Sequence, residues 1–131
     1  MQREIRRIRR FCVHFDETDM LGVAHNAVYY RWFERGRMEL IGEFLDATTP
    51  ADTDMAAPVV HSHCDYKTPA RYGDDLVLVT RMPFREPYQG RIRFIHEISN
   101  GRTKQLVATG ETEVTLVYWA SGKLAREIPE P

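Results

Sequence analysis

The chain has 131 residues, which is enough for one domain over 1–131 and leaves no room for a second. Apolar residues make up 43% and charged residues 28%, and the formal net charge of −1 provides no general attraction to nucleic acid or acidic membranes. No apolar stretch is long enough to span a bilayer, so we expect neither a nucleic-acid partner nor a membrane span.

The beginning of the chain and the two cysteines indicate the cellular location of the protein. The basic start QREIRRIRR leads directly into the strand-like segment FCVHF. It lacks the apolar run of a secretory signal, and an arginine-rich transit peptide would not normally merge into a strand. Cys12 and Cys64 lie in strand-like segments and are interpreted as small buried side chains in a reducing compartment. We therefore expect an untargeted, cytoplasmic protein.

The first predicted strand runs from about Ile5 to Phe15, where side chains of opposite character alternate. A polar turn follows, in which three carboxylates and a glycine stand close together: Asp16, Glu17, Asp19 and Gly22. Asp16 and Glu17 lie nearer the strand and are expected to be solvated. Gly22 is expected to provide a positive φ or a close approach of the backbone.

The longest helical pattern comes next, beginning at His25 or Asn26 and ending before the loop that starts at Asp46. Its apolar side chains recur three or four positions apart, with the small residue Gly36 on the same line. They form one broad stripe: Val28, Tyr29, Trp32, Phe33, Leu40, Ile41, Phe44 and Leu45. A single helix among strands buries such a stripe most simply across the face of a sheet.

Four more strands are predicted after the helix: Pro58–Tyr66, Leu76–Met82, Arg91–Ser99 and Leu106–Trp119. Asn100-Gly101 is the strongest hairpin motif in the chain. One helix cannot supply the crossovers of a doubly wound parallel sheet. The order of elements therefore predicts an α+β fold in which an antiparallel five-stranded sheet wraps around one long central helix. An edge strand of that sheet is satisfied when it pairs with a second copy in a two-fold dimer.

The helix start and the polar turn together indicate a reaction. The first backbone amides of a helix have no partner inside it and favour negative charge, and Asn26 is expected to cap them. Asp19 lies one loop away from these amides. A carboxylate close to amides that can bind an oxyanion is the smallest set of groups that can hydrolyse an ester or thioester. No serine or cysteine triad is required for a thioester, because a thiolate leaves readily.

Each of these residues also has a plainer interpretation. Asp19 is equally the type of residue that shapes a turn. His25 either leans over the substrate or is structural. Tyr29 belongs to the core or lines an acyl pocket, and Glu34 is a solvated helix acid or a site residue.

His61, His63 and Asp65 share one face of the second predicted strand, which could bind a metal. An H-x-H pair without further ligands at fixed spacing is weak evidence for a metal, and exposed or dimer-facing histidines explain it better. We therefore expect no metal and no cofactor.

Three stretches carry a resemblance to a known family that covers nearly the whole chain. ETDMLGVAHNAVYYRWFERGR, DYKTPARYGDDLVL and the ending GKLAREIP resemble the hotdog-fold acyl-CoA thioesterases of the 4-hydroxybenzoyl-CoA thioesterase group. The family's carboxylate falls on Asp19, its glycine on Gly22, its tyrosine on Tyr29 and its helical acid on Glu34. Its oxyanion amide falls at about Asn26.

The resemblance implies a hotdog fold and an enzyme that hydrolyses an acyl-CoA or acyl carrier protein thioester to free acid and thiol. It implies that Asp19 acts as general base or nucleophile. It also implies a homodimer, or a homotetramer made of two dimers, with the active site at a subunit boundary. His25-Asn26 departs from the Tyr-His of many relatives, which leaves open whether the acyl group is aromatic or medium-chain aliphatic.

Two other functions are compatible with the same fold. A non-catalytic hotdog module would bind acyl-CoA without turnover and would not need Asp19. A hotdog dehydratase acting on a 3-hydroxyacyl thioester would need an arrangement of histidine and acid that the helix sequence lacks.

Overall fold

A computed structural model describes residues 3–48, 55–84, 90–118 and 121–123. Strand β1 (Arg3–Cys12) and a 3-10 turn (Phe15–Glu17) lead into helix α1 (Val28–Thr48). The strands that follow are β2 (Met55–Ala56), β3 (Val59–Tyr66), β4 (Asp75–Phe84), β5 (Ile92–Asn100), β6 (Leu106–Val114) and β7 (Val117–Tyr118).

One large antiparallel sheet dominates the fold. It has five strands in the order β1-β4-β5-β6-β3, and β2 pairs with β7 in a separate two-stranded sheet. α1 lies across one face of the large sheet, which confirms the predicted α+β architecture. Within the described ranges, no helix combines the length and the apolar character needed to cross a bilayer.

The predicted apolar stripe of α1 is confirmed for its described members. The buried side chains of the helix include Trp32, Phe33 and Leu40, each at most 2% exposed. The side chains of Phe44 and Leu45 lie outside the described residues. Burial of such side chains stabilises a fold by about 1.5–3 kcal/mol each, so this stripe holds the helix on the sheet.

Two glycines allow α1 to lie very close to the sheet. A Cβ atom at Gly36 on α1 would overlap Thr80 Oγ1 and would lie 3.0 Å from Leu78 Cδ2, both on β4. A Cβ atom at Gly110 on β6 would overlap the ring of Phe33. The missing side chains at these two positions therefore set the distance between helix and sheet.

The ends of α1 and β1 differ from the prediction. α1 begins at Val28 rather than at His25 or Asn26, because the preceding residues form a turn in which Val28 N donates to His25 O at 3.0 Å. It continues to Thr48, beyond its predicted end. β1 ends at Cys12, before its predicted last residue Phe15, which begins the 3-10 turn instead.

The hairpin predicted at Asn100-Gly101 is confirmed, because β5 and β6 are antiparallel neighbours. In its loop, residues 101–105, the Asn100 side chain accepts hydrogen bonds from Arg102 N and Thr103 N at 2.9 and 3.0 Å. The last predicted strand ends differently. The predicted strand Leu106–Trp119 is divided into β6 and β7, because Thr115 N donates to Pro58 O at 3.1 Å. Trp119 itself lies outside the described residues.

The two cysteines differ in their surroundings. Cys12 is exposed, so the prediction of a buried side chain is wrong there. Cys64 is half-buried and packs against the core, and burial raises the pKa of its thiol.

His96 is a buried histidine on β5 beneath α1. Its ring stacks on Phe33 with 4.4 Å between the ring centroids, and its Nδ1 and Nε2 atoms lie 3.3 and 3.0 Å from the hydroxyls of Thr80 and Thr112. Burial, followed by the positive charge of Arg37, lowers the pKa of His96 from 6.5 to about 3. The folded protein therefore holds this ring neutral, with a hydroxyl partner for each nitrogen.

Gly36→Ala should destabilise the protein, because the added methyl group would overlap Thr80 at the contact between α1 and β4. We expect a loss of about 1–3 kcal/mol in the free energy of unfolding, measured by urea denaturation. Gly42→Ala is the matched control, since a Cβ atom at Gly42 in the same helix meets nothing within 4 Å. It should add about 0.5–1 kcal/mol through helix propensity. Equal effects of the two substitutions would contradict the close contact.

Acidification should destabilise the protein through His96. The unfolded chain takes up a proton on this residue below about pH 6.5, whereas the folded chain keeps the ring neutral down to about pH 3, so stability is lost as the pH falls through this window. At roughly 1.4 kcal/mol per pH unit, the contribution reaches about 2 kcal/mol at pH 5. Urea unfolding at pH 7 and pH 5 measures the loss. His96→Gln should reduce it by about that amount, and an unchanged pH dependence in the variant would rule His96 out as its source.

Candidate active site

The carboxylate turn, residues 15–24, is a tight loop closed by its own backbone. Asp19 N donates to Val23 O at 2.9 Å, and Gly22 N donates to Asp19 O at 3.0 Å. Thr18 and Ala24 form an antiparallel bridge at the base of the loop. Gly22 has a φ of +76°, the left-handed conformation expected for it from the sequence.

The two carboxylate oxygens of Asp19 differ in their hydrogen bonds. Oδ1 accepts hydrogen bonds from Leu21 N at 2.8 Å and from Val23 N at 3.3 Å, so it helps to shape the loop. Oδ2 accepts no hydrogen bond from any described residue, and the side chain is only half-buried. Asp19 is thus both a turn residue and an oriented carboxylate with one oxygen available.

The segment before α1 has two backbone amides that donate to no acceptor among the described residues. Asn26 and Ala27 are exposed, and in the described part of the chain neither amide donates a hydrogen bond. The carbonyl of Asn26 is held by the Tyr66 hydroxyl, which donates to it at 2.7 Å. The Asn26 side chain caps no amide among the described residues, so its predicted capping role is not found. Its backbone N–H remains available beside the positive end of the helix dipole.

Two hydrogen bonds tie the carboxylate turn to this segment and to the sheet. His25 N donates to Glu17 O at 3.0 Å, which joins the beginning of the turn to the residue before Asn26. Ala24 N donates to Ala70 O at 2.7 Å, in the connection between β3 and β4. Asp19 and the amides before α1 are therefore parts of one hydrogen-bonded frame.

Glu17 is the residue of this frame that the sequence did not reveal. It is 9% exposed, so its predicted solvation is wrong, whereas Asp16 is exposed as expected. Its Oε1 atom accepts from His14 N at 2.8 Å, and its Oε2 atom accepts from Trp32 Nε1 at 3.0 Å. A buried indole needs an acceptor for its N–H, and this need was the one available sign of a buried partner for Trp32.

The predicted site residues separate into two groups. One group lies within the turn or the segment that leads into α1: Asp19, Gly22, His25 and Asn26. The other group lies on the helix itself. Tyr29 is 3% exposed, its hydroxyl accepts from Ala70 N at 3.3 Å, and burial raises the pKa of its phenol. Glu34 is exposed and lies about 9 Å along the helix axis from Val28.

The family model of the thioesterase-like superfamily matches residues 13–130. The chain belongs to this superfamily. Among curated relatives, a Bacillus subtilis protein provisionally named acyl-CoA thioesterase YneP is 33% identical over 79 residues, which cover 60% of this chain and 55% of that relative. A 1,4-dihydroxy-2-naphthoyl-CoA hydrolase from Synechococcus is 27% identical over 105 residues, which cover 75% of this chain and 68% of that relative.

The fold of this thioesterase-like protein is shared with solved structures. The crystal structure of a 1,4-dihydroxy-2-naphthoyl-CoA thioesterase from Synechocystis superposes with a TM-score of 0.77 at 20% identity, covering 92% of this chain and 88% of that one. The five-stranded sheet around one helix is thus the hotdog fold that the resemblance predicted. The matched part of this chain spans about half the length of two of its curated relatives.

The histidine pair of this thioesterase-like protein lies away from the carboxylate turn, on the strand β3. His63 Nε2 lies 3.9 Å from Asp65 Oδ2, and the ring centroids of His61 and His63 are 6.0 Å apart. Among the described residues, no three His, Cys, Asp or Glu side chains are grouped as metal ligands.

Proposed function

We propose that this chain hydrolyses acyl-CoA thioesters, with Asp19 and the backbone amide of Asn26 acting on the same carbonyl group. The observation that carries this proposal is the hydrogen-bonded frame that joins the turn of Asp19 to the segment before α1, where the amides of Asn26 and Ala27 donate to no described residue. Membership of the thioesterase-like superfamily supports the reaction class. The names of the two curated relatives, an acyl-CoA thioesterase and an acyl-CoA hydrolase, support the substrate class.

The chemistry follows from the two groups. The carbonyl oxygen of the thioester accepts a hydrogen bond from Asn26 N, and the helix dipole stabilises the negative charge that develops there. Asp19 either removes a proton from the attacking water or attacks the carbonyl carbon itself, giving a mixed anhydride that water then cleaves. The C–S bond breaks in both routes, the thiolate takes up a proton, and the products are the free acid and the thiol. After a single turnover in ¹⁸O-water, label in Asp19 identifies the second route with attack of water on the Asp19 carboxyl carbon. Attack of water on the acyl carbon places the label in the free acid by either route.

Two arginines support coenzyme A as the carrier of the acyl group. Arg10 and Arg102 line a cavity of about 600 Å³ at the C-terminal end of β1. The carboxylate turn follows this end of the strand. Neither arginine forms an ion pair with a described residue. Other arginines of the sheet are engaged: Arg81 with Glu4, Arg91 with Glu113 and Arg93 with Glu111. Unpaired guanidinium groups suit the phosphates of coenzyme A.

The edges of the sheet support a homodimer. β1 and β3 are its two edge strands, but β1 carries five arginines that would repel a second β1. β3 has no Lys or Arg, and Val59 and Val60 on it are 46% and 44% exposed. We propose that β3 pairs with β3 of a second copy. Light scattering should then give two or four times the chain mass of 15.3 kDa, and a 15.3 kDa particle would contradict the pairing.

Asp19→Asn should abolish most of the turnover, because the amide keeps the shape of the side chain but can neither accept a proton nor attack the carbonyl. We expect kcat to fall by about 10²–10⁴-fold. The measurement is the rate of thiol release from benzoyl-, hydroxybenzoyl- and decanoyl-CoA. Asp16→Asn is the matched control, since Asp16 is an exposed carboxylate of the same turn, and its kcat should stay unchanged.

The same assays distinguish the other functions. Binding of acyl-CoA with no thiol release by the wild-type protein would identify a binding module, and hydration of crotonyl-CoA would identify a dehydratase. Full turnover by Asp19→Asn would remove Asp19 from the proposed mechanism.

Arg102→Ala should raise KM for acyl-CoA by about tenfold, because a charge-assisted hydrogen bond to a phosphate is worth about 1.5–3 kcal/mol. KM for the corresponding N-acetylcysteamine thioester, which has no phosphate, should be unchanged. Arg81→Ala is the control, because Arg81 is paired with Glu4 at 3.1 Å. An equal rise in KM for both thioesters would show that Arg102 does not recognise the carrier.

A further inference from the structure

We propose that Trp32 and Glu17 are positioning residues, through which the buried part of α1 sets the position of Asp19 relative to the Asn26 amide. Neither side chain is placed in contact with substrate. This role rests on the proposed hydrolase activity and deepens it, since it identifies what holds the two reacting groups at a fixed separation.

Glu17 contacts both sides of the carboxylate turn with nearly all of its polar atoms. Its backbone N–H donates to His14 O at 3.0 Å and its Oε1 atom accepts from His14 N at 2.8 Å, so Glu17 is bound to the residue that precedes the 3-10 turn. Its carbonyl accepts from His25 N at 3.0 Å. Asp19 lies two residues after Glu17, and Asn26 lies one residue after His25. A displacement of Glu17 is therefore passed to both reacting groups through very short lengths of chain.

Trp32 is the fixed point to which Glu17 is attached. The indole is 1% exposed, and its ring packs against Phe11 and Tyr29 with centroids 5.1 and 4.9 Å apart. Its Nε1–H donates to Glu17 Oε2 at 3.0 Å, in a contact between residues fifteen positions apart. Because the indole cannot move without disturbing the core, the bond holds the turn against the face of α1.

The physical reason for a catalytic effect lies in the buried carboxylate. Loss of the indole donor would leave one oxygen of a buried carboxylate without a partner, which is unfavourable unless the carboxylate moves towards water. Such a movement would carry the turn with it. A misplacement of about 1 Å between reacting groups can cost about 10²-fold in rate, so the effect falls on kcat.

The test begins with Trp32→Phe in the full chain, which keeps the aromatic packing and removes only the donor. We expect kcat for the hydrolysed thioester to fall by about 10–100-fold, with KM changed by less than about threefold. Leu40→Val is the stability control, because Leu40 is 2% exposed in a second core cluster away from the turn. It should lower the melting temperature while leaving kcat unchanged.

A second variant tests the bond itself. In Glu17→Gln the amide offers one acceptor to two donors, so one N–H group must face another. Combining Glu17→Gln with Trp32→Phe removes that conflict, and the double variant should lose no more kcat than Glu17→Gln alone. Multiplied losses in the double variant would show that the two residues act separately and would overturn the inference.

A spectroscopic measurement separates this inference from the proposed activity. In ¹H–¹⁵N spectra, Trp32→Phe should shift the amide resonances of Asp19 and Asn26, and Leu40→Val should not. If the wild-type protein hydrolyses thioesters and Trp32→Phe keeps its kcat and those resonances, the positioning role is wrong and the hydrolase stands. If the wild-type protein hydrolyses none of the thioesters but the shifts occur, the structural link stands and the proposed activity fails.

Discussion

The hydrogen bond from His25 N to Glu17 O is the constraint on which the site depends. A turn aspartate and unpaired amides before a helix are each common features with ordinary structural explanations. Here the bond joins the stretch of chain that carries Asp19 to the stretch that carries Asn26. The proposed hydrolysis needs this link, because it requires a carboxylate on one side of a carbonyl group and an amide donor on the other.

The packing of α1 supplies the rigidity behind that bond. At Gly36 and Gly110 the helix and the sheet approach closely, because Thr80 and Leu78 occupy the space of the missing Gly36 side chain and the Phe33 ring that of Gly110. Trp32 and Phe33 fill the space between them and are each 1% exposed. A reacting group that is hydrogen-bonded to such a rigid helix keeps its geometry better than one on a free loop. The buried His96 adds a dependence on pH to the same interface, since its ring is accommodated only when neutral.

Local patterns in the sequence predicted most of the fold, and they also supplied the residues of the proposed site, whose catalytic roles stay predictions. The 3.6-residue period predicted the buried stripe of α1, and the turn chemistry predicted the positive φ of Gly22. The missed features depend on partners distant in sequence. Glu17 was expected in solvent because its partner Trp32 is fifteen positions away. The last strand was predicted as one piece because the hydrogen bond from Thr115 to Pro58, which divides it, joins residues far apart in sequence. The helix start was misplaced because Asn26, a capping-type residue, stands two positions before Val28 in a turn that only the backbone geometry reveals.

A crystal structure of the Asp19→Asn variant with an uncleaved acyl-CoA tests most directly whether one carbonyl lies between Asp19 and the Asn26 amide. We expect the thioester oxygen at about 2.7–3.1 Å from Asn26 N, with the side chain at position 19 on the opposite face of the carbonyl. A thioester bound with its carbonyl away from the start of α1, and with the Asn26 amide facing solvent, would contradict it.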